Sequence, residues 1–435
     1  MTWDALPVLW QDALLALAWL APALLTGALV LRGYAPWPLV RAILWRFRGA
    51  SALFVLLIAV SVGMGIGLLA QERGLRRGTA QAADKFDLVV AAPGSELTVM
   101  LAAVFLQPSD MGLLDGATYA EIAGHENVSI AAPLAFGDSF GRSPVVGTTE
   151  AFARYLSDDR IDGRMWRSAG EALAGALVPL RIGDGFSPAH GAGDGAEADA
   201  HGDAHLTVVG RMAPTGTPWD RAILVPVEAV WQVHGLANGH APERALQIGP
   251  PFDAEYFPGT PAIVVRSEAL WATYALRSEF TRDRETMAFF PGGVLAQLYG
   301  VLGDIRQVMS LMALVTQGLV AAAVLLGLFI LSRLFRRQIA LLRALGAPAR
   351  FVFAVVWCFG AALLLAGAVL GLGVGVGAAS VLARVVTART DVLVTAPIGW
   401  SEIHFLAAFV SVTLLLSLLP AAVVLRQPVA QGLRS

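Results

Sequence analysis

The chain has 435 residues, of which 56% are hydrophobic and only 15% charged, against roughly 25% charged in ordinary soluble domains. A formal net charge of −2 excludes a global basic field for nucleic acid, and a single cysteine, Cys358, excludes an intrachain disulfide. The apolar excess is gathered in a few long runs, so membrane spans plus a separate polar domain are expected.

Residues 13–31 are the first run long enough to cross about 30 Å of hydrocarbon. A cleaved signal peptide is the rival reading, but "MTWDALPVLWQD" carries two acids and no base where such a peptide needs positive charge. A retained span is expected, with Pro22 bending it. Arg32, Arg41, Arg46 and Arg48 follow without an acid, and residues 50–70 form the second span.

Residues 71–307 hold 18 basic and 29 acidic residues and no further span. "FDLVVAA", "SPVVGTT", "LTVVGRM", "AILVPV" and "AIVVRS" read as strands. "SEALWATYALRSEF" and "GGVLAQLYGVLGDIRQVM" read as helices, so an α+β domain is expected. "QERGLRRGTAQAADKF", leaving the second span, and residues 295–307, leading to the third, both look helical and are expected as stalks. "FGDSF" looks like the nucleophile block of GDSL-type hydrolases, but the late Asp-x-x-His partner is missing. Asp203-Ala204-His205 has the wrong spacing, so Ser139 is expected as a turn or strand-end residue.

One segment, "SPAHGAGDGAEADAHGDAHLTVVG", carries His190, His201 and His205 among Asp194, Glu197, Asp199 and Asp203, and His234 and His240 follow. Imidazole with carboxylate suits zinc or a similar ion, and His190, His201, Asp203 and His205 are the candidate ligands. The competing reading is an acidic low-complexity loop whose histidines are incidental.

Residues 308–331 form the third span. "RLFRRQIALLRALGAPAR" comes next, with Arg333, Arg336, Arg337, Arg343 and Arg350 and no acid. Ile339, Leu342 and Leu345 recur at helical spacing, Gly346 ends the helix and Pro348 prevents continuation. Anchoring to anionic headgroups and docking to a cytoplasmic protein both fit such a helix. Residues 351–383 form a fourth span, longer than needed. Its Gly367, Gly371, Gly373, Gly375 and Gly377 have small-xxx-small spacing, which permits close helix packing within or between protomers. Residues 403–425 form the fifth span.

Eleven arginines and no acid fall on one predicted side: four after the first span, five after the third, and Arg426 and Arg434 in the tail. That side is expected to be cytoplasmic and the large domain to lie outside. A P-loop needs a lysine, and the sole one, Lys85, sits in "ADKFD". Any ATP must therefore act on another polypeptide. No Asp, Glu, Lys or Arg lies within the five spans to mark an ion relay, and His404 at a span edge reads as an interfacial residue, so a secondary transporter is disfavoured.

"WPLVRAILWRFRGASALFVLLIAVSVGMGIGL", "RRQIALLRALGA" and "LLPAAVVLRQPVAQGLRS", with the large domain inserted between two spans, together resemble the FtsX/MacB/LolC-type (type VII) ABC transporter permeases. The resemblance covers residues 36–435; "DLVVAAPGSELTVMLAAVF" and "SPVVGTT" look like the start of the external domain in a permease-only branch. It implies an α-helical membrane protein of four core spans plus one extra N-terminal span. A large α+β extracytoplasmic domain would lie between core spans one and two. The corresponding segments are 1–34, 35–70, 71–307 and 308–435, with a coupling loop at 332–350. It further implies a homodimer in a bacterial inner membrane, surrounded by lipid. A cytoplasmic ABC ATPase would hold ATP and magnesium, and a periplasmic binding or adaptor protein is a further expected partner. This chain itself would be no enzyme and would bind no cofactor of its own, save zinc or a similar metal at the histidine segment. Arg336, Arg337, Ile339, Leu342, Arg343, Leu345 and Gly346 would couple to the ATPase, and hydrolysis would move the external domain to handle a periplasmic substrate. A non-transporting receptor whose external domain binds a ligand such as a metal is the alternative.

Overall fold

Long apolar runs become long helices, because every backbone N–H and C=O must be paired inside hydrocarbon. The computed structural model describes residues 3, 6–107, 109–190, 204–282, 284–334, 336–390, 394–395 and 397–425. The chain divides into two units, one of Met1–Gly74, Asp304–Val385 and Thr395–Ser435, the other of Leu75–Gly303 and Val386–Val394.

The first unit contains α1 (Val8–Leu31), α2 (Trp37–Arg46), the start of α3 (Arg48–Ala83), most of α9 (Pro291–Leu334), α10 (Arg336–Ala344), most of α11 (Ala349–Thr390), α12 (Trp400–Leu416) and α13 (Leu418–Leu425). Among the described residues four helical stretches are long and apolar enough to cross a membrane: Val8–Leu31, Arg48–Ala83, Ala349–Ala388 and Trp400–Val423. The span expected at 308–331 lies inside α9. Pro22 sits within α1, where the Thr26 hydroxyl donates to the Pro22 carbonyl at 2.7 Å. The span expected at 403–425 is broken at Ser417. Pro420 cannot donate to the carbonyl four residues back, and its ring crowds that turn. Just before the break, the Leu414 carbonyl accepts from the Ser417 hydroxyl at 2.7 Å and from the Trp357 indole N–H at 3.1 Å.

Helices α3 and α11 meet through glycine. A Cβ built at Gly367 would come 2.6 Å from Ile58 Cβ, one at Gly371 2.8 Å from Val62 Cβ, and one at Gly375 2.8 Å from Ile66 Cβ. From the other side, a Cβ at Gly63 would come 2.9 Å from Val374 Cγ1. So three of the five expected packing glycines, spaced by four, line one seam. Gly373 and Gly377, two residues out of phase, have nothing within 4 Å among the described residues. A polar clasp joins α3 to α9: Gln317 Nε2 donates to the Ser61 carbonyl at 2.9 Å, and Ser61 Oγ donates to Gln317 Oε1 at 3.4 Å.

The second unit is the α+β domain. Its strands are β1 (Leu88–Ala91), β2 (Val128–Phe140), β3 (Ser143–Thr148), β4 (Ile161–Gly163), β5 (Glu171–Ala174), β6 (Gly185–Phe186), β7 (Ala189–His190), β8 (Leu206–Met212), β9 (Ile223–Pro226), β10 (Ala262–Ser267) and β11 (Met287–Phe289). They order as β11-β1-β10-β2-β3-β9-β5-β8-β4, with β6 against β8 and β7 against β2. The sheet is mixed: β3/β9 and β5/β8 are parallel, the other pairs antiparallel. Helices α4 (Glu96–Phe105), α5 (Gly116–Gly124), α6 (Glu150–Leu156), α7 (Val227–Val233) and α8 (Leu270–Arg282) complete it. All five expected strands form, as do both expected helices. Trp219, Phe152 and Phe86 stack edge to face or tilted at centroid distances of 5.5–5.9 Å in its core. Strand β2 is the hinge of the sheet. Its first half pairs with β10 and its second with β3, and the register shifts between Ala135 and Asp138.

Candidate functional site

The basic helix expected at the cytoplasmic face is α10. Gly346 has φ +95°, a left-handed conformation that glycine adopts without a Cβ clash. The Gly346 N–H donates to the Arg343 carbonyl at 3.1 Å and the Ala347 N–H to the Leu342 carbonyl at 3.0 Å. This paired closure is the Schellman arrangement, so Gly346 and Pro348 end the helix as their residue types require. Leu341 and Leu345 are exposed, while Leu342 and Arg343 are half-buried. The outward apolar side chains are thus Leu341 and Leu345, one position off the expected Ile339–Leu342–Leu345 stripe at Leu342. The side chains of Arg336, Arg337 and Ile339 lie outside the described residues.

A second cluster lies in the external domain. Gly137 has φ +142°, a backbone state for glycine, and sits in the bulge of β2. Such bulges re-aim the side chains that follow. The next residue, Asp138, is cross-strand partner to His190 in β7. Its side chain is only 2% exposed, with Oδ1 3.1 Å from His190 Nδ1 and 3.7 Å from His234 Nε2. His234 caps α7, and its ring folds back so that Nδ1 lies 2.7 Å from the Val230 carbonyl. A carbonyl only accepts, so Nδ1 carries the hydrogen and Nε2 is the nitrogen turned toward Asp138. One ligand-type atom from each of Asp138, His190 and His234 falls within 4.8 Å of the other two.

Of the ligand set read from the sequence, His190, His201, Asp203 and His205, His190 belongs to this group. His201 and Asp203 lie outside the described residues, and His205 packs its ring against Gly185, where the β6–β8 pairing holds it. Neighbours across strands, not along the chain, make the cluster. Ser139 is a buried strand-end residue, as expected. It faces away from Asp138, because adjacent strand residues point to opposite faces, so the two cannot act together as a hydrolase pair. His240 is separate again: it is buried against Phe252, with Nε2 3.4 Å from Glu228 Oε1. Burial raises the Glu228 carboxyl above the usual range, partly offset by hydrogen bonds from backbone N–H groups and His240.

Residues 308–429 match the family described as FtsX-like permease C-terminal. Those residues carry an FtsX-like permease C-terminal domain. That match takes in α10, α11, α12 and α13, so the basic helix and the α11 side of the glycine seam lie in the matched segment. No curated protein sequence matches this chain. Two solved structures are similar at low identity. The periplasmic region of MacB from Actinobacillus actinomycetemcomitans is 8% identical, covers 50% of this chain and 95% of its own, with a TM-score of 0.31. The extracellular domain of the noncanonic ABC-type transporter YknZ from Gram-positive bacteria is 11% identical, covers 46% and 98%, with a TM-score of 0.27. The architecture of the α+β domain rests on its own strands and helices.

Proposed function

We infer that this permease is the membrane subunit of an ABC transporter, driven by a separate cytoplasmic ATPase. The observation that carries this is α10, a basic helix closed by Gly346, presenting Leu341 and Leu345 outward inside the FtsX-like segment. A docking helix needs that combination of apolar contact and positive charge. The chain's only lysine, Lys85, is paired with Asp158, which supports placing the P-loop and its nucleotide on a separate polypeptide. Arg336, Arg337, Ile339, Leu342, Arg343, Leu345 and Gly346 are the coupling residues in this reading.

Force would pass along helices rather than through a channel. Helix α3 is unbroken from Arg48 to Ala83 and α9 from Pro291 to Leu334, and each contributes residues to both units. A continuous helix transmits displacement with little loss. Two copies of the chain would pair in a bacterial inner membrane above two ATPases. Their external domains would move a periplasmic substrate or adaptor protein.

The test is purification from the native host. An ATPase should co-purify, and its stimulation by the permease should vanish when Arg336, Arg337 and Arg343 are changed to Glu. A chain that purifies without any ATPase, and whose variants leave ATP turnover in membranes unchanged, would leave the receptor reading instead.

A further inference from the structure

We propose that Asp138, His190 and His234 form an exchangeable binding site for a divalent transition-metal ion on the external domain. The three residues are far apart in sequence and come from a bulged strand, a short partner strand and a helix C-terminus. Their convergence is a product of the fold, not of a histidine-rich run.

The chemistry of the donors points to a cation. The Asp138 carboxylate oxygen meets one nitrogen from each of two imidazole rings whose centroids are 5.1 Å apart, so an anionic donor and two nitrogen donors converge on one point. If His234 is neutral, the Val230 carbonyl holds its hydrogen on Nδ1 and turns the Nε2 lone pair toward Asp138 Oδ1. A divalent ion among the three would take a bond from each donor and offset the carboxylate charge.

The geometry suits such an ion. Zinc binds nitrogen and oxygen at about 2.0–2.2 Å in a tetrahedron, which sets neighbouring donors roughly 3.3–3.6 Å apart. Asp138 Oδ1 lies 3.1 Å and 3.7 Å from the two nitrogens. The bond from His234 Nδ1 to a backbone carbonyl is the outer-shell contact that orients metal-bound histidines. Two imidazoles and one carboxylate favour zinc or another first-row transition ion over calcium or magnesium, which take oxygen donors. Among the described residues three donors converge, and with His190 46% exposed and His234 27% exposed an ion can enter and leave from solvent. The proposal does not depend on the coupling to an ATPase.

The experiment uses tag-free full-length protein in detergent, stripped with EDTA and titrated calorimetrically with Zn²⁺. Calcium serves as the control ion, and Co²⁺ absorption reports on the donor set. His190→Ala, His234→Ala and the near-isosteric Asp138→Asn should each remove one saturable zinc equivalent per chain and abolish the corresponding cobalt signal. His201→Ala and His205→Ala should keep that equivalent. Thermal melts of the stripped proteins, matched to the stripped parent, show that the variants are folded. Asp138→Asn covers the case in which a histidine variant does not fold. Zinc isotherms unchanged in all three variants, or lost only in His201→Ala or His205→Ala, would overturn the site, as would calcium binding equal to zinc.

Discussion

Arg73 and Glu402 clasp α3 to the start of α12. Arg73 Nη1 donates to Glu402 Oε2 at 2.7 Å, and Nη2 donates to the Pro397 carbonyl. The Glu402 side chain is fully buried, and the same Oε2 accepts the Gly399 N–H at 2.8 Å, capping the helix. One carboxylate therefore serves as ion-pair partner and helix cap at once. A Cβ on Gly399 would collide with the Arg73 guanidinium, so the glycine makes room for the pair.

Removing one member strands a buried charge, which costs about 3–5 kcal/mol. Arg73→Ala and Glu402→Ala should each lower stability by that order in denaturant melts of the detergent-solubilised protein. The double variant should cost much less than the sum of the two, because no lone charge remains. Additive losses would mean that the two residues act independently.

The glycines of α11 make a sharper contrast. Gly371→Val must push its Cβ into Val62 at 2.8 Å and into the Ala59 carbonyl at 2.9 Å. Overpacking of that kind costs about 1–3 kcal/mol. Gly373→Ala meets nothing within 4 Å among the described residues, so it should gain about 0.5–1 kcal/mol from reduced backbone freedom. Thermal melts of the two variants give opposite signs on this reading. If Gly373→Ala instead weakens self-association in cross-linking, the second glycine row serves the contact between protomers.

Spans and most strands were legible because each rests on composition over a local window. The run at 50–70 could only be a span, and "AIVVRS" could only be a strand. Strand β2 was not legible. "VSIAAPLAFGDSF" holds Pro133 and Gly137 and shows weak alternation, and its extended state comes from β10 and β3 on either side. The glycine spacing was visible, but a repeat of four occurs twice in α11, and only the packing against α3 chooses between the rows. The same holds for the metal-type cluster. His190 stood out as one of a dense run, but Asp138 lay inside a motif read for its serine. The register of β2 with β7, which no local window encodes, brings the two together.

Glu171 gives the external domain a signature in pH. Hydrogen bonding from the Arg164 guanidinium, more than any other cause, holds its carboxyl down at about 2, against an ordinary 4.5. Arg164 Nη1 donates to Glu171 Oε2 at 2.7 Å, and the Arg167 N–H donates to the same oxygen at 2.7 Å. A carboxyl depressed on folding contributes stability that is present above about 4.5 and is lost as pH falls toward 2. Glu171→Gln should therefore narrow its stability deficit against the parent steadily as melts are taken from pH 5 down to the acid limit. A constant deficit over that range would mean that the carboxylate is not the titrating group.

The closure of α10 ties helix geometry to coupling. At φ +95° Gly346 adopts a backbone state that costs a residue with a Cβ roughly 1–2 kcal/mol. Gly346→Ala should open the paired bonds to Leu342 and Arg343 and let the last turn fray, while the rest of the membrane unit keeps its packing. Leu345, one residue before the glycine, would then lose its fixed outward position. The expected outcome is a melting temperature lowered by no more than about a few degrees, with ATPase stimulation reduced several-fold in reconstituted membranes. Gly346→Asn should recover part of it, because asparagine tolerates the left-handed state better than alanine. Equal stimulation by parent, alanine and asparagine variants would remove the helix end from the coupling path.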